Sequence, residues 1–368
     1  MPEALTEANL LSALSGVKDP DLGRSIVEMG MIKEIKIEDG GGKLAFTCEL
    51  TTPACPVKEV IEKDVRDTVA RAFPQLKAFE LKMSAKVRGA ESPAGSGENL
   101  LPQIKNVVMV GSGRGGVGKS TLSVNIALAL QRLGARVCVL DLDIYGPSLP
   151  LLMGQQQKPK LQGETKICPV IAHGMEIMSM GFLVEPRQAM VWRGQILNGI
   201  ITQFLRDVLW SAADYMLVDL APGPAEVALT LAQSCPSAGA VLVTTPQELS
   251  LAEIFRAKAL FDQLRVPVLG LVENMSGFYC PECRKPHDLF RGAGAGRRVA
   301  EEMRIPLLGE IPIEPSIGSG ESVGVPIVLG KPESAAAKAF VAAAEKLAAQ
   351  VSIRNHARAP TAVETGAN

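Results

Sequence analysis

Nothing in these 368 residues reads as an export signal, a membrane anchor or a cross-linked secreted scaffold. The opening stretch MPEALTEANLLSALSGVKDP is acidic at its start, where a signal peptide carries its basic segment. No apolar run approaches the ~20 residues that span a bilayer. Cysteine is sparse, with seven scattered residues, which excludes a small disulfide framework. Histidine is scarcer, with three in the whole chain, and His173 and His356 have no constellation around them. Net charge is nearly absent: 38 basic against 39 acidic residues leave −1. Bulk electrostatics therefore point to no nucleic-acid partner and no membrane surface. No internal repeat is found. The expected setting is a reducing cytoplasm, where thiols stay free to bind metal.

What is there is an ordinary core-forming composition, 47% hydrophobic and 21% charged, in a length suited to about two domains. Residues 1–87 read as a small α/β domain. EALTEANLLSALSGV has helical periodicity, MIKEIKIED and KLAFTCEL form a hairpin, Lys58–Phe73 is a helix opened by Pro56, and LKAFELKMSAKV is a third strand. Residues 88–102, RGAESPAGSGENLLP, shift to Gly, Ser, Pro and Glu and read as a flexible linker. In residues 103–352 unbroken apolar runs (NVVMV, ARVCVL, YMLVDL, GAVLVTT, VPVLGLV, IPLLGEI) alternate with longer helical segments. That pattern predicts a doubly wound, mostly parallel α/β sheet buried on both faces. Residues 353–368 are expected to be a disordered tail.

The first buried run opens into GSGRGGVGKST, where Gly113, Gly118, Lys119 and Ser120 satisfy G-x-x-x-x-G-K-[ST]. Glycines let backbone N–H groups curl around phosphate oxygens, and the helix that follows adds the positive end of its dipole. Lys119 is placed to reach the β- and γ-phosphates, and the Ser120 hydroxyl to bind Mg²⁺. Asp141 and Asp143 end one predicted strand and Asp219 ends another. Ligands of open α/β sheets bind at those carboxyl ends. Asp219 has the form of a Walker B acid. Each of these acids alone could equally cap a turn.

Cys280 and Cys283 form the only Cys-x-x-Cys pair. Three readings stand on the residues alone. A structural zinc site needs two further ligands, of which His287 supplies one. A thioredoxin-like redox pair needs a different host fold. A half-site completed by a twofold partner yields four thiolates, the set a [4Fe–4S] cluster takes. Cys48 and Cys138 read as core residues, and Cys168 and Cys235 have no partner at ligand spacing. Cys55, in TTPACP, is either a transfer or accessory thiol or a plain buried residue.

GSGRGGVGKST resembles the deviant Walker A of the ParA/MinD/nitrogenase-iron-protein class, whose members dimerise face to face around two nucleotides. Together with DLDIYGPSLPLLMG, VWRG, QFLRDVLW, VTTPQELSLAE, VPVLGLVENMSGFYCPEC and LGEIP, it looks like the Mrp-type (ApbC) iron–sulfur cluster carrier ATPases. VKDPDLGRSIVEMGMI and LTTPACP are similar to the small domain that precedes the ATPase in bacterial Mrp proteins. The resemblance implies an ATP-hydrolysing homodimer that holds a [4Fe–4S] cluster through Cys280 and Cys283 and passes it to apo iron–sulfur proteins, with scaffold or donor proteins as further partners. It implies that Gly113, Arg114, Gly115, Gly116, Val117, Gly118, Lys119, Ser120 and Thr121 bind nucleotide, and that Asn274 contacts adenine. Mg²⁺ falls to Ser120, Asp141 and Asp219, the attacking water to Asp143, and charge across the dimer to Arg114. Three positions depart from the family pattern: Arg114 replaces the signature lysine, APGPAE (221–226) replaces Pro-Pro-Gly-Thr-Gly-Asp, and Arg284 replaces a glycine. These substitutions imply slow turnover. Two other readings remain beside it, a MinD/ParA-like positioning ATPase and a nucleotide-binding scaffold with a structural zinc site.

Overall fold

The computed structural model describes residues 4–90, 98–144, 146–183, 194–223, 225–280, 282–283, 285–290, 292, 294–317 and 324–358, without the side chains of 194–197, 225 and 279. Contacts divide the chain into two units, Met1–Arg88 with Ser352–Asn368, and Gly89–Val351.

In the first unit α1 (Glu7–Leu14) starts at Thr6, whose hydroxyl accepts the backbone N–H of Asn9 at 3.2 Å. β1 (Ile32–Glu38) pairs antiparallel with β2 (Lys43–Leu50), and α2 (Lys58–Ala72) carries the chain to β3 (Ala78–Ala85), parallel to β2. Alternation places Leu44, Phe46, Cys48 and Leu50 on one face of β2. They pack with Leu10, Leu14, Ile61, Val65 and Phe73 into one buried core.

The second unit runs β4 (Val107–Ser112), α3 (Lys119–Arg132), β5 (Val137–Leu142), α4 (Leu149–Leu152), β6 (Leu161–Gln162), β7 (Lys166–Ile167), β8 (Val170–Ala172) and β9 (Met175–Ser179). It continues through α5 (Gly194–Arg206), β10 (Tyr215–Leu220), α6 (Ala225–Ser234), β11 (Ser237–Thr244), α7 (Glu248–Gln263) and β12 (Val268–Tyr279). β13 (Pro286–His287), α8 (Ala295–Met303), β14 (Leu307–Ile313), α9 (Ile327–Gly330) and α10 (Ala335–Arg358) follow, the residues of α10 from Ser352 on being counted in the first unit. The sheet has the order β13-β12-β11-β4-β10-β5-β9-β8, with β14 also paired to β12. Neighbours from β12 to β9 are all parallel; β8 and β13 run antiparallel at the two edges.

Every residue of β4, β5 and β10 is buried, as unbroken Val/Ile/Leu runs require when helices cover both faces. α3 packs over β4, β5 and β10, and α7 over β4, β11 and β12. The first crossover runs to one side of β4, where β8, β9 and β10 also lie, while the strands from β11 on are added on the other side. β4 therefore lies at the topological switch point, where ligands of doubly wound sheets bind. The expected fold class is the one that forms.

The short strands leave no mark on the sequence: β6, β7 and β13 have two residues each, β8 three and β9 five, too few for a periodic signal. α10 continues through Arg358, so residues 353–358 are helical rather than tail. They are held by polar contacts that composition does not show: the His356 Nδ1–H donates to Ser352 O (2.9 Å), and Asn355 Nδ2 donates to Arg88 O (3.1 Å). The remainder of the expected tail, and linker residues 91–97, lie outside the described residues.

Gly113 is demanded by packing. A Cβ there would lie 2.5 Å from the Glu253 carbonyl of α7, whose backbone cannot yield. Gly113→Ala is expected to cost about 1–3 kcal/mol and to lower Tm in thermal unfolding. Gly115→Ala, whose Cβ would meet nothing nearer than Pro222 Cγ at 3.9 Å, is expected to leave Tm unchanged.

Candidate nucleotide site and cysteine hairpin

The loop between β4 and α3 is shaped by Gly116 (φ 80°) and Gly118 (φ 82°), both in the left-handed region that L side chains avoid. Ser112 Oγ donates to the Arg114 carbonyl at 2.9 Å and tightens the turn. Gly118 is the N-cap of α3, so Lys119, Ser120 and Thr121 form the first turn of a helix whose free N–H groups face the loop. Asn274, buried near the middle of β12, donates its amide N–H to Val117 O at 2.8 Å. A side chain at Gly118 would collide with that amide. A residue 157 positions away in sequence thus holds the loop in place.

The acids are assembled by register. Ser179, Asp141 and Asp219 occupy aligned positions on the neighbouring strands β9, β5 and β10. Asp219 Oδ1 lies 2.5 Å from Lys119 Nζ and accepts Ser123 Oγ at 3.2 Å, while its other oxygen accepts Ser120 Oγ. Lys119 Nζ also stands 3.6 Å from Asp143 Oδ2. Asp141 is fully buried and accepts the Asp143 N–H (2.9 Å), the Ser179 hydroxyl (2.9 Å) and the Leu149 N–H (3.3 Å). Burial, with the Asp219 charge second, pushes the Asp141 carboxyl up to about 7. Burial also raises Asp219, against the opposing pull of Lys119. Arg114 is half-buried at the loop's edge.

The structure therefore gathers Lys119, Ser120, Asp141, Asp143, Asp219 and Asn274 at the carboxyl edge of β4, β5, β10 and β12. Two members escape sequence reasoning. Ser123, one turn into α3, bridges Lys119 O (3.0 Å) and Asp219; its α3 position carries the only hint. Ser179 has no sequence signal, because β9 itself is not legible. Of the altered segment 221–226, Glu226 is exposed in the first turn of α6, and Pro224 lies outside the described residues, as do Arg284 and the first three residues of VWRG.

A second constellation lies beyond the end of β12. Phe278 and Tyr279 pair antiparallel with His287 and Pro286 of β13, and the closing turn carries Cys280 and Cys283. The Cys280 N–H donates to Lys285 O at 3.1 Å. Hydrogen bonding from the backbone of Cys283 first, then of Glu282, together with the Cys283 side chain, holds the Cys280 thiol below its ordinary pKa. Cys283 Sγ lies 3.3 Å from His287 Nε2, and the donor atoms of Cys280, Cys283 and His287 are all within 4.8 Å of one another. The remaining cysteines are different. Burial pushes Cys48 and Cys235 up to about 12 and raises Cys138. Cys55 is half-buried against the core of the first unit.

A glycine loop between the switch-point strand and its helix, with acids on the adjacent strand ends, defines a P-loop NTPase. Comparison with known proteins resolves the class further. The chain belongs to the family described as NUBPL iron-transfer P-loop NTPase, which matches residues 103–348, and residues 7–80 match the family described as iron-sulfur cluster assembly protein. It is 45% identical over 355 residues to the iron-sulfur cluster carrier protein of Synechocystis sp., covering 95% of this chain and 99% of that one. It is 44% identical over 352 residues to the protein of the same name from Deinococcus radiodurans, covering 95% and 97%. Among solved structures it is similar to a nucleotide-binding protein from Archaeoglobus fulgidus in complex with ADP, at 37% identity and TM-score 0.51, over 58% of this chain and 84% of that one. No helix among the described residues is long and apolar enough to cross a membrane.

The Asp141 environment has a consequence for stability. In the unfolded chain its carboxyl loses its proton near the ordinary value of 3.8, but in the fold only near 7. Between those values the folded state binds the extra proton, so Asp141 makes stability fall as pH rises and then level off above about 7, by a few kcal/mol. The Tm of the metal-free chain is expected to drop from pH 5 to 8 through this group. Asp141→Asn should flatten that part of the profile and be the more stable form at pH 8, as read by calorimetry across the range.

Proposed function

We propose that the chain is an ATP-hydrolysing iron–sulfur cluster carrier that holds a [4Fe–4S] cargo between two copies and passes it to apo-proteins. The observation that carries this reading is the hairpin turn after β12, which presents two thiols, one half-buried and one exposed, on a P-loop NTPase. A cubane takes four thiolates and this turn has two. A twofold axis opposes the same patch to itself and completes the set. The names of the relatives, iron-sulfur cluster carrier protein, support an iron–sulfur cargo.

The nucleotide end follows from the loop. The backbone N–H groups from Gly113 to Thr121 cradle phosphate oxygens, Lys119 leaves the carboxylates of Asp219 and Asp143 for the β- and γ-phosphates, and Arg114 adds a second cation. Ser120, Asp141 and Asp219 supply the hard oxygen donors that suit Mg²⁺, which would neutralise phosphate charge there. Asp143, held toward Lys119 at 3.6 Å, orients the attacking water. Asn274 touches the nucleotide loop, and six residues further on, just past the end of β12, the chain reaches Cys280. One strand thus links the nucleotide loop to the thiols. The first unit serves as a separate recruitment or assembly domain, with Cys55 as its accessory thiol, and the carrier works in the cytoplasm as a homodimer without membrane or nucleic acid.

The test is anaerobic reconstitution of the full chain with iron and sulfide. Four irons and four sulfides per two chains are expected, with the visible chromophore lost in Cys280→Ser. Lys119→Ala is expected to keep the cluster and to release phosphate about 100-fold more slowly or worse. A colourless wild-type protein, or a chromophore indifferent to Cys280→Ser, would sink the carrier reading. Equal phosphate release by wild type and Lys119→Ala would remove the hydrolase.

A further inference from the structure

The thiols are not the only donors in the turn after β12. Because Phe278 is paired with His287 across β12 and β13, the imidazole is carried back over the turn onto Cys283. The gap between Cys283 Sγ and His287 Nε2 is 3.3 Å, and no pair among the three donor atoms exceeds 4.8 Å. Tetrahedral Zn²⁺, with bonds of about 2.3 Å to sulfur and 2.0–2.1 Å to nitrogen, sets its ligands about 3.6–3.8 Å apart. The Cys283–His287 gap is thus near what one ion imposes, and the 4.8 Å bound on the other pairs lies about 1 Å above it. A cubane, by contrast, takes each thiolate on a different iron and holds its cysteine sulfurs apart by the width of the cluster. Among the described residues no fourth histidine, cysteine or carboxylate joins the set. Both Cys283 and His287 are exposed, which leaves one side of the set open to solvent.

We propose that Cys280, Cys283 and His287 form a mononuclear site within a single chain, taking one borderline-soft divalent cation of the Zn²⁺ class with its fourth position open. Three protein ligands and one exchangeable position are the pattern of zinc sites that remain reactive, whereas structural sites are closed by four. The site needs no second copy. It is independent of the carrier reading, yet it engages the same two sulfurs, so an ion bound there excludes a cluster. Loading a cluster then requires that the ion leave and that the sulfurs separate, with His287 released from the set.

Cobalt(II) is the probe, because its thiolate complexes are coloured and zinc's are not. The full chain, prepared anaerobically without iron or sulfide, is titrated with Co²⁺ alone. One cobalt per chain is expected, with tetrahedral ligand-field bands, a thiolate-to-metal charge-transfer band and displacement by Zn²⁺. His287→Ala is expected to weaken binding by at least about 10–100-fold, the loss caused by removing even an outer partner of a metal ligand. His287→Cys, which keeps a donor at that place, should recover it. Cys283→Ser should lose most of the charge-transfer band. Thermal unfolding of each variant separates loss of the site from loss of the fold. Chain preloaded with Zn²⁺ should take up less cluster than metal-free chain, and His287→Ala should lessen that inhibition. Saturation at one cobalt per two chains with His287→Ala unchanged would overturn the proposal, as would a titration without thiolate bands. A chain that binds cobalt as described but never accepts a cluster would overturn the carrier reading and leave this site standing.

Discussion

The nucleotide end of the molecule depends on a buried ammonium placed between carboxylates. Lys119 is almost wholly withdrawn from water, and it sits 2.5 Å from Asp219 and 3.6 Å from Asp143. An isolated lysine in that position would be strongly destabilising, and so would the two buried acids without their donors. Each makes the others tolerable: Asp219 is bonded by Lys119, Ser120 and Ser123, and Asp141 by Ser179 and two backbone N–H groups. The arrangement is possible because parallel strands end on one edge and stand in register there. The rise in the Asp141 pKa is the residue of a compromise, since burial of the pair outweighs the donors given to it.

β12 joins the two centres. Its first half lies in the sheet between β11 and β14, its middle offers Asn274 to the nucleotide loop, and its end forms the hairpin with β13. Between those functions lies Met275, with φ 58°, at the place where pairing with β14 shifts register. Left-handed backbone at a non-glycine residue is strained, and such residues persist where the surroundings hold them. The strand is therefore bent between Asn274 and the cysteines. A single short, kinked segment of backbone joins the strand position that holds the nucleotide loop to the turn that carries the thiols.

Much of this was legible beforehand. The strands β4, β5, β10 and β11 announced themselves as apolar runs because both of their faces are covered, and β12 and β14 did so although they are only partly buried. The loop announced itself because phosphate cradles need glycine at particular places. The parts that stayed hidden have physical reasons. β8 and β9 are too short to show a period, and with β9 goes Ser179, the donor that holds Asp141. Ser123 is an ordinary serine in a helix until Asp219 is brought beside it. His287 stood in the sequence as one zinc ligand among open alternatives, and nothing in its spacing said that it would lie on Cys283. The end of α10 reads as tail because its stabilisation comes from polar contacts rather than from an apolar stripe.

The sequence by itself determined that this is a doubly wound P-loop domain behind a small α/β domain, since burial on both faces and glycine-dependent turns leave direct marks on residue choice. It also determined that two thiols stand together at Cys280 and Cys283. The tertiary structure alone decided which groups meet. Strand register set Ser179, Asp141 and Asp219 side by side, Asn274 came from a distant strand to close the loop, and hairpin pairing turned His287 onto the cysteines. Those contacts depend on register and crossover direction, which are properties of the whole sheet and are written at no single position in the chain.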